Sequence, residues 1–492
     1  MYQRLARNDG LVRGTPRESG VDANEIMAFL DDAAAAGLEL HSLLLHRRDR
    51  LVLDAAWWPY RTDKPRITHS VTKSFLACAI GMALEEGRFA LSDKVVSFFP
   101  MTLAGRIDPK LAAMTIEDLL TMRCGHEAET SGSVWRGKRT SWIDEFFKIP
   151  VVHQPGTVHV YTSAASYMLS AILTKATGET LHDYLRPRLF DPLGITGERW
   201  DSGPDGFTSG GNGLTCTPVD LLKLGILHAR KGVWEGKRIL SEDWIERATR
   251  PQGDPSYGYH WWVGADGSYS AQGIFVQLVI VFPKAQAALA LTGAMKDSAQ
   301  VMPLIDRHIA RAFHDGRLPD RGADSRLSAR LGDLTRRPAL RKKRESTANC
   351  VSGSIFKVDP NPLGIIAFRI YFLEESYVFT LYDANGAHDL VGSVGRWIET
   401  DASLPGSDLH HGYELAPARI LAGAQWLGSN LFEMTWIFVE TAFRDTVICR
   451  FNGNAATFER RVNTNSGALA WPTLIGCSGS QQDLLPKPPL PR

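Results

Sequence analysis

The chain changes its pattern once. Up to residue 315, helical periodicities alternate with short apolar runs; from Cys350 onward nearly every segment reads as a strand. Between the two lies 317–344, with ten Lys/Arg against three Asp/Glu and a local net charge of +7. Elements of such unlike period bury their apolar faces in different layer arrangements, so the chain reads as two domains joined by a basic linker. The boundaries are 1–315, 316–347 and 348–492. With 492 residues in all, each domain is long enough to bury its own core.

In the first domain NEIMAFLDDAAAAG (24–37) reads as an amphipathic helix ended by Gly37. HSLLLHRRDRLVLDAAW (41–57) reads as two strands about a charged turn at 47–50. Helices follow at 70–86, 115–122, 163–178, 218–231 and 241–249, with Thr115, Pro218 and Ser241 as entry residues. QLVIVFP (277–283) and AALALTG (287–293) are continuous apolar runs and read as a buried hairpin, with a helix at 298–313 behind them. Strands at both ends with helices between define an α+β fold, an antiparallel sheet flanked by helices in which the first and last segments share one sheet.

In the second domain IIAFRIYFL, SYVFTLYD, HGYELAP, LFEMTWIFVE, DTVICRFNG and ATFERRVNT read as strands. Turn signals such as Asn385-Gly386 and Asn452-Gly453 separate them, so the domain is an all-β barrel or sandwich. The tail LLPKPPLPR reads as loose chain.

The overall charge of +1 gives no global field to draw in nucleic acid or an anionic membrane. The basic stretch lacks the interleaved aromatics of a nucleic-acid contact and reads as solvated linker. Six dispersed cysteines with no CxxC pair match neither a zinc site nor a disulfide framework. The opening MYQRLARNDGLVRG lacks the apolar core of about 7–15 residues that marks a signal peptide. No run approaches the ~20 apolar residues of a membrane span. The expectation from these features is a cytoplasmic protein with reduced thiols and no membrane partner.

The sharpest chemical feature is Ser70-Val71-Thr72-Lys73 at the start of the long apolar helix. Serine and lysine at i and i+3 share a helix face. Unpaired N–H groups and the positive dipole end surround the hydroxyl there. Lys73 can take the hydroxyl proton, and the Ser70 N–H can donate to a developing oxyanion. The plain alternative makes Ser70 a helix cap and Lys73 a solvent-facing charge. Tyr161 precedes Thr162-Ser163 at the next long helix; beside the pair it acts as a base if the lysine charge lowers its pKa, and otherwise as a packing residue. Ala271-Gln272-Gly273-Ile274 precedes the apolar hairpin, where the glycine permits close approach of a ligand or a second backbone, or simply a bulge.

In their order these segments resemble the serine β-lactamase-like hydrolases: class C β-lactamases, penicillin-binding DD-peptidases, EstB-type esterases and 6-aminohexanoate-dimer hydrolases. The resemblance spans roughly residues 15–315 and rests on HSLLLHRRDRLVLDAAWWPY, ITHSVTKSF, MTIEDLLTMRCG, PGTVHVYTSAASYMLSAILTKATGE, LFDPLGIT, GGNGLTCTPVDLLKLG, YGYHWWV and QGIFVQLVIVFP. It implies Ser70 as acylated nucleophile, Lys73 as its activating partner and Tyr161 as the acid/base that carries a proton to the leaving group. It also implies an oxyanion hole from the Ser70 and Ile274 N–H groups, with Ser163, Gln272 and Gly273 facing substrate.

Two positions depart from the penicillin-type pattern. Ala271 stands where a Lys or His of the Lys/His-Xaa-Gly motif is expected, and Ser163 where many relatives carry Asn. Gly273-Ile274-x-x-Gln277 resembles the nylon-oligomer hydrolases instead. The C-terminal segment 348–492 resembles the calycin-type barrel appended to some of these hydrolases, on the stretch WIFVETAFRDTVICRFNG.

The expectation is a serine hydrolase of esterase or amidase type, acting on a small ester, amide or peptide-like substrate without a cofactor or metal. A β-lactamase, a D-amino-acid peptidase, a transacylase and an inactive ligand-binding scaffold are the alternatives. His41, His46, His126, His153 and His159 show no metal-ligand spacing. His410-His411 reads as a surface loop, and the Trp57-Trp58 and Trp261-Trp262 pairs as core or cleft wall. The Gly-rich stretch 203–213 lacks the Lys-Ser/Thr of a phosphate loop.

Overall fold

A computed structural model describes residues 9–100, 102, 107–129, 132–334, 337–343 and 345–478. The Pro-rich tail 484–492 lies outside the described residues. The chain forms two compact units, divided between Arg336 and Arg337.

The first unit is built on a six-stranded sheet. Its strands are β1 (Leu40–Arg47), β2 (Arg50–Ala56), β3 (Trp262–Val263), β4 (Tyr269–Gly273), β5 (Gln277–Phe282) and β6 (Ala287–Gly293). Their spatial order is β2-β1-β6-β5-β4-β3 with every neighbour antiparallel. The first and last segments of the unit therefore share one sheet. The apolar runs are continuous because both faces of the sheet are covered. Leu44, Val279, Val281, Ala288 and Ala290 enter one core. Their neighbours Leu43, Leu45, Leu278, Ile280, Leu289 and Leu291 enter the other. The period of two in a strand sends alternate residues to opposite faces, so both sets are apolar.

On the first face lie helices α2 (Thr72–Glu85), α3 (Ser163–Thr177) and α4 (Pro218–Ala229). On the second lies α1 (Ala23–Ala35), with an irregular helical run over 298–312 and a further helix, α5 (Ala323–Leu334). Leu327 of α5 is buried in that core, and Arg326 donates to Asn24 Oδ1 at 3.0 Å. The span 316–347 thus contributes a packed helix to the first unit. Its later part packs on the second unit, where the Trp397 indole N–H donates to the Pro338 carbonyl at 3.0 Å. Among the described residues, no helix is long and apolar enough to cross a membrane.

The second unit is a closed nine-stranded barrel with one strand outside the ring. Its strands are β7 (Ile355–Val358), β8 (Ala367–Phe372), β9 (Ser376–Asp383), β10 (Gly386–Val394), β11 (Trp397–Ala402), β12 (Ala418–Gly428), β13 (Leu431–Phe438), β14 (Arg444–Asn452), β15 (Ala455–Val462) and β16 (Leu474–Ser478). The ring runs β10-β9-β8-β7-β16-β15-β14-β13-β12 and closes where Ser393 and Val394 pair in parallel with Gly423 and Ala424. Inward positions carry large aromatics that pack ring against ring: Phe356 stacks on Phe368 and Phe379 on Phe458, while Phe368 meets Phe458 and Phe379 meets Trp436 at a tilt.

Two readings of this domain are corrected. HGYELAP (411–417) is a turn, not a strand, with left-handed backbone at His411 (φ 54°) and Gly412 (φ 74°); the strand begins at Ala418. His410-His411 is buried rather than a surface loop. His410 Nε2 lies 2.9 Å from Asp445 Oδ1, and Arg460 Nε donates to Asp445 Oδ2 at 2.7 Å. Burial pushes the Asp445 carboxyl up, but Arg460 and His410 more than offset it and hold it below the usual range. A buried charge is tolerable only when paired in this way.

Candidate active site

Ser70 sits in a single 3₁₀ turn, His69–Val71, that runs directly into α2. It is not a cap: the residue entering α2 is Val71, and no side chain caps that end. His69 adopts a left-handed backbone (φ 51°), which turns the chain sharply before the serine. The turn is pinned from outside. Thr68 Oγ1 donates to the Leu214 carbonyl at 2.8 Å, and the Leu214 N–H donates to Thr72 Oγ1 at 3.3 Å.

Lys73 follows one helical turn later and is 2% exposed, so the reading of a solvent-facing charge fails. Its ammonium donates to Ser70 Oγ (3.1 Å), Ser163 Oγ (3.2 Å) and the Gly211 carbonyl (2.7 Å). Burial pushes its pKa down to about 7, with the Glu129 carboxylate opposing. Three donors meet three acceptors. When Lys73 loses a proton, the carbonyl of Gly211 can only accept and Ser163 can continue to accept. Both remaining hydrogens are then committed, and the lone pair faces Ser70 Oγ.

Behind this group lies His260, buried against both helices. Ser74 Oγ donates to its carbonyl at 2.8 Å, and its Nε2 lies 3.1 Å from Ser166 Oγ. Burial, reinforced by the Lys73 charge, pushes the imidazole down to about 3. It therefore stays neutral beside the lysine.

Tyr161 comes from the loop before α3, whose entry is capped by Thr162. Lys73 Nζ lies 4.8 Å from the centre of its ring. The expectation of a lowered phenol pKa is corrected: burial raises it, with the hydrogen bond to Ser70 opposing and the Glu129 charge reinforcing. Tyr161 is therefore a neutral phenol at neutral pH. Trp262 stacks on it at 5.8 Å with 22° between planes, and Tyr257 meets it edge-on at 6.3 Å. Of the tryptophan pair, Trp261 is core and Trp262 lines Tyr161.

Strand β4 brings Gly273 against the turn that carries Ser70. A β-carbon there would stand 2.5 Å from the Thr68 carbonyl oxygen and 3.2 Å from the Ser70 nitrogen. Only glycine lets β4 come this close. Ile274, half-buried, is the next residue, at the start of the turn into β5. Ala271 points into the apolar core of this face. Gln272 is held within the protein: its amide donates to Ser270 Oγ at 2.9 Å and its oxygen accepts from Ser298 Oγ at 2.8 Å.

The structure thus brings Ser70, Lys73, Tyr161, Ser163 and Gly273 together. Sequence reading missed Gly211 and His260. The Gly-rich stretch 203–213 serves as a backbone acceptor for Lys73, a role that leaves no side-chain signature. Among the described residues, no group of three His, Cys, Asp or Glu is placed to hold a metal ion. His46 and His126 are buried, with pKa values pushed down to about 3 and about 4, first by burial.

A beta-lactamase family model matches residues 30–312. The chain is similar to a lovastatin esterase of Penicillium rubens, 26% identical over 170 residues, which cover 30% of this chain and 42% of the esterase. The chain therefore spans less than half the length of that relative. It is also similar to a 6-aminohexanoate-dimer hydrolase of Paenarthrobacter ureafaciens, 24% identical over 271 residues, 48% of this chain and 68% of that one. A solved structure from Bacillus anthracis, provisionally named a 6-aminohexanoate-dimer hydrolase, superposes with a TM-score of 0.53 at 17% identity. It covers 62% of this chain and 87% of that one, a likeness of fold.

Proposed function

The chain belongs to the beta-lactamase family, and within that family of hydrolases we propose that it is a serine hydrolase cleaving an ester or amide through an acyl-enzyme on Ser70. The observation that carries this reading is the buried Lys73, with a pKa near 7 and bonds to Ser70, Ser163 and Gly211. As the neutral amine it takes the Ser70 proton while Oγ forms its bond to the carbonyl carbon. The oxyanion is received by the backbone N–H groups of Ser70 and Ile274. Tyr161, a neutral phenol whose ring lies against Lys73, passes a proton to the departing alkoxide or amine and is refilled from Lys73. Water then attacks the acyl-enzyme by the same path in reverse.

The substrate is a neutral ester or amide. Ala271 offers no cation on β4 for a substrate carboxylate, and an unpaired carboxylate is costly to desolvate. Esterase and oligomer-hydrolase activities of the similar proteins accord with this choice. All six cysteines are free, four of them buried, which supports work in a reducing compartment such as the cytoplasm.

The test compares the parent with Ser70→Ala and Lys73→Ala on p-nitrophenyl butyrate and on a short amide oligomer. Turnover is expected in the parent and in neither variant. Unchanged turnover in Ser70→Ala would remove the serine from the mechanism.

A further inference from the structure

Three side-chain-bearing residues with left-handed backbone converge on the nucleophile: His69 (φ 51°), Phe275 (φ 61°) and Val276 (φ 64°). Such conformations are unfavourable outside glycine, most of all for a β-branched residue like Val276, and they persist only where the surroundings hold them. Phe275 and Val276 form, with Ile274, the three-residue turn between β4 and β5, since Gly273 pairs with Gln277. This turn opens with Ile274, read above as the second oxyanion donor, directly after the Gly273 that approaches the Ser70 backbone.

Gln277 is the group that grips it. It is fully buried at the head of β5. Its amide donates to the Phe275 carbonyl at 3.1 Å and to the Gly293 carbonyl of β6 at 3.1 Å. Its oxygen accepts from Arg66 Nε at 3.1 Å. Arg66 is fixed in turn by His41, whose Nδ1 lies 2.9 Å from the guanidinium and whose ring lies on Tyr60. From the other side, the Phe275 ring stands edge-on to His69 at 5.3 Å. One residue of the turn is thus tied through its carbonyl to the sheet and through its ring to the residue before the nucleophile.

We propose that Gln277 is a positioning residue for the oxyanion hole, fixing the peptide after Phe275 so that the strained turn holds the Ile274 N–H at the transition-state oxyanion. The proposal rests on the reading of Ser70 as nucleophile and of Ile274 as a donor. Without the two amide hydrogens on the Phe275 and Gly293 carbonyls, the turn relaxes toward ordinary backbone angles and the donor swings away. Binding of the ground-state ester, which does not need that donor, is little affected.

The experiment uses the full-length protein with Gln277→Met, which keeps volume and flexibility, and Gln277→Glu. The latter keeps an acceptor for Arg66 but offers nothing to the two carbonyls. Both are expected to lower kcat on p-nitrophenyl butyrate about 10–100-fold, below the ~10²–10³ of deleting a donor outright. KM stays within about threefold, affinity for a boronic-acid transition-state mimic falls by a similar factor, and the pH midpoint set by Lys73 does not move. Folded variants with kcat within threefold of the parent overturn the proposal, as does a loss confined to KM. Failure of both variants to fold assigns Gln277 to stability alone and likewise overturns it. Fluorophosphonate labelling of the parent separates the two levels. Absence of label on Ser70 refutes the nucleophile assignment, whereas a labelled Ser70 with insensitive Gln277 variants refutes only the positioning role.

Discussion

If Lys73 is the base, its titration governs acylation. Burial brings it to about 7. With a single ionisation at that value, the neutral fraction is about 1% at pH 5, one half near pH 7 and about 99% at pH 9. Acylation should therefore climb roughly a hundredfold from pH 5 to pH 9, tenfold per unit at first and flat by pH 9. A lysine at its solvent value of about 10.5 would instead still gain tenfold per unit at pH 9. The sign of a second perturbation follows from the same site. The Glu129 carboxylate raises the Lys73 pKa, so Glu129→Gln should move the midpoint to lower pH. The assay is kcat/KM for p-nitrophenyl butyrate at constant ionic strength, corrected for spontaneous hydrolysis. Stability carries the same mark. The folded pKa lies below the unfolded one, so the unfolded chain binds more protons between about pH 7 and 10.5, and stability rises with pH there. Lys73→Met should therefore stabilise the fold most below pH 7 and progressively less above it. A flat rate profile from pH 5 to 9, or a midpoint that moves up in Glu129→Gln, would refute this assignment.

Gly273→Ala should lower kcat by about 10²–10³, the cost of a lost oxyanion donor, because the new β-carbon drives β4 away from Thr68 and Ser70; kcat within threefold of the parent in a folded variant contradicts the close approach. Tyr161→Phe should keep the fold and lower amide turnover ~10²–10⁴-fold, with a smaller loss for a p-nitrophenyl ester whose leaving group needs no proton; equal losses on both substrates remove the shuttle role. Nitrocefin, which bears a carboxylate, should be hydrolysed at least about tenfold less efficiently than p-nitrophenyl butyrate for want of a cation at Ala271; an equal or greater kcat/KM restores the β-lactamase reading.

Much of the fold was legible because burial writes itself into periodicity. The runs 277–282 and 287–293 are apolar at every position, and the two cores on either face of the sheet are the reason. The pairing of Ser70 with Lys73 at the head of a buried helix was legible from a serine and lysine on one face. What stayed hidden depends on backbone groups and on distance. Gly211 serves Lys73 through its carbonyl, 138 residues along the chain, and any residue has a carbonyl. Gln277 was quoted only as part of a resemblance, because its work is on the Phe275 and Gly293 carbonyls. The direction of the Tyr161 shift was misread because the lysine charge was visible in sequence and the burial around the ring was not. In the barrel, His410 looked like surface until Asp445 and the rings of Phe438 and Phe443 enclosed it.

The central claim is a covalent acyl group on Ser70, and trapping that intermediate from a substrate tests it most directly. The parent is mixed with excess p-nitrophenyl butyrate at pH 7.5, quenched in acid within milliseconds and mapped by peptide mass spectrometry. The account predicts a burst of one p-nitrophenol per protein and a butyryl group on the peptide bearing Ser70, absent in Ser70→Ala. Turnover with no adduct under rapid quench, or an adduct on any other residue, contradicts it.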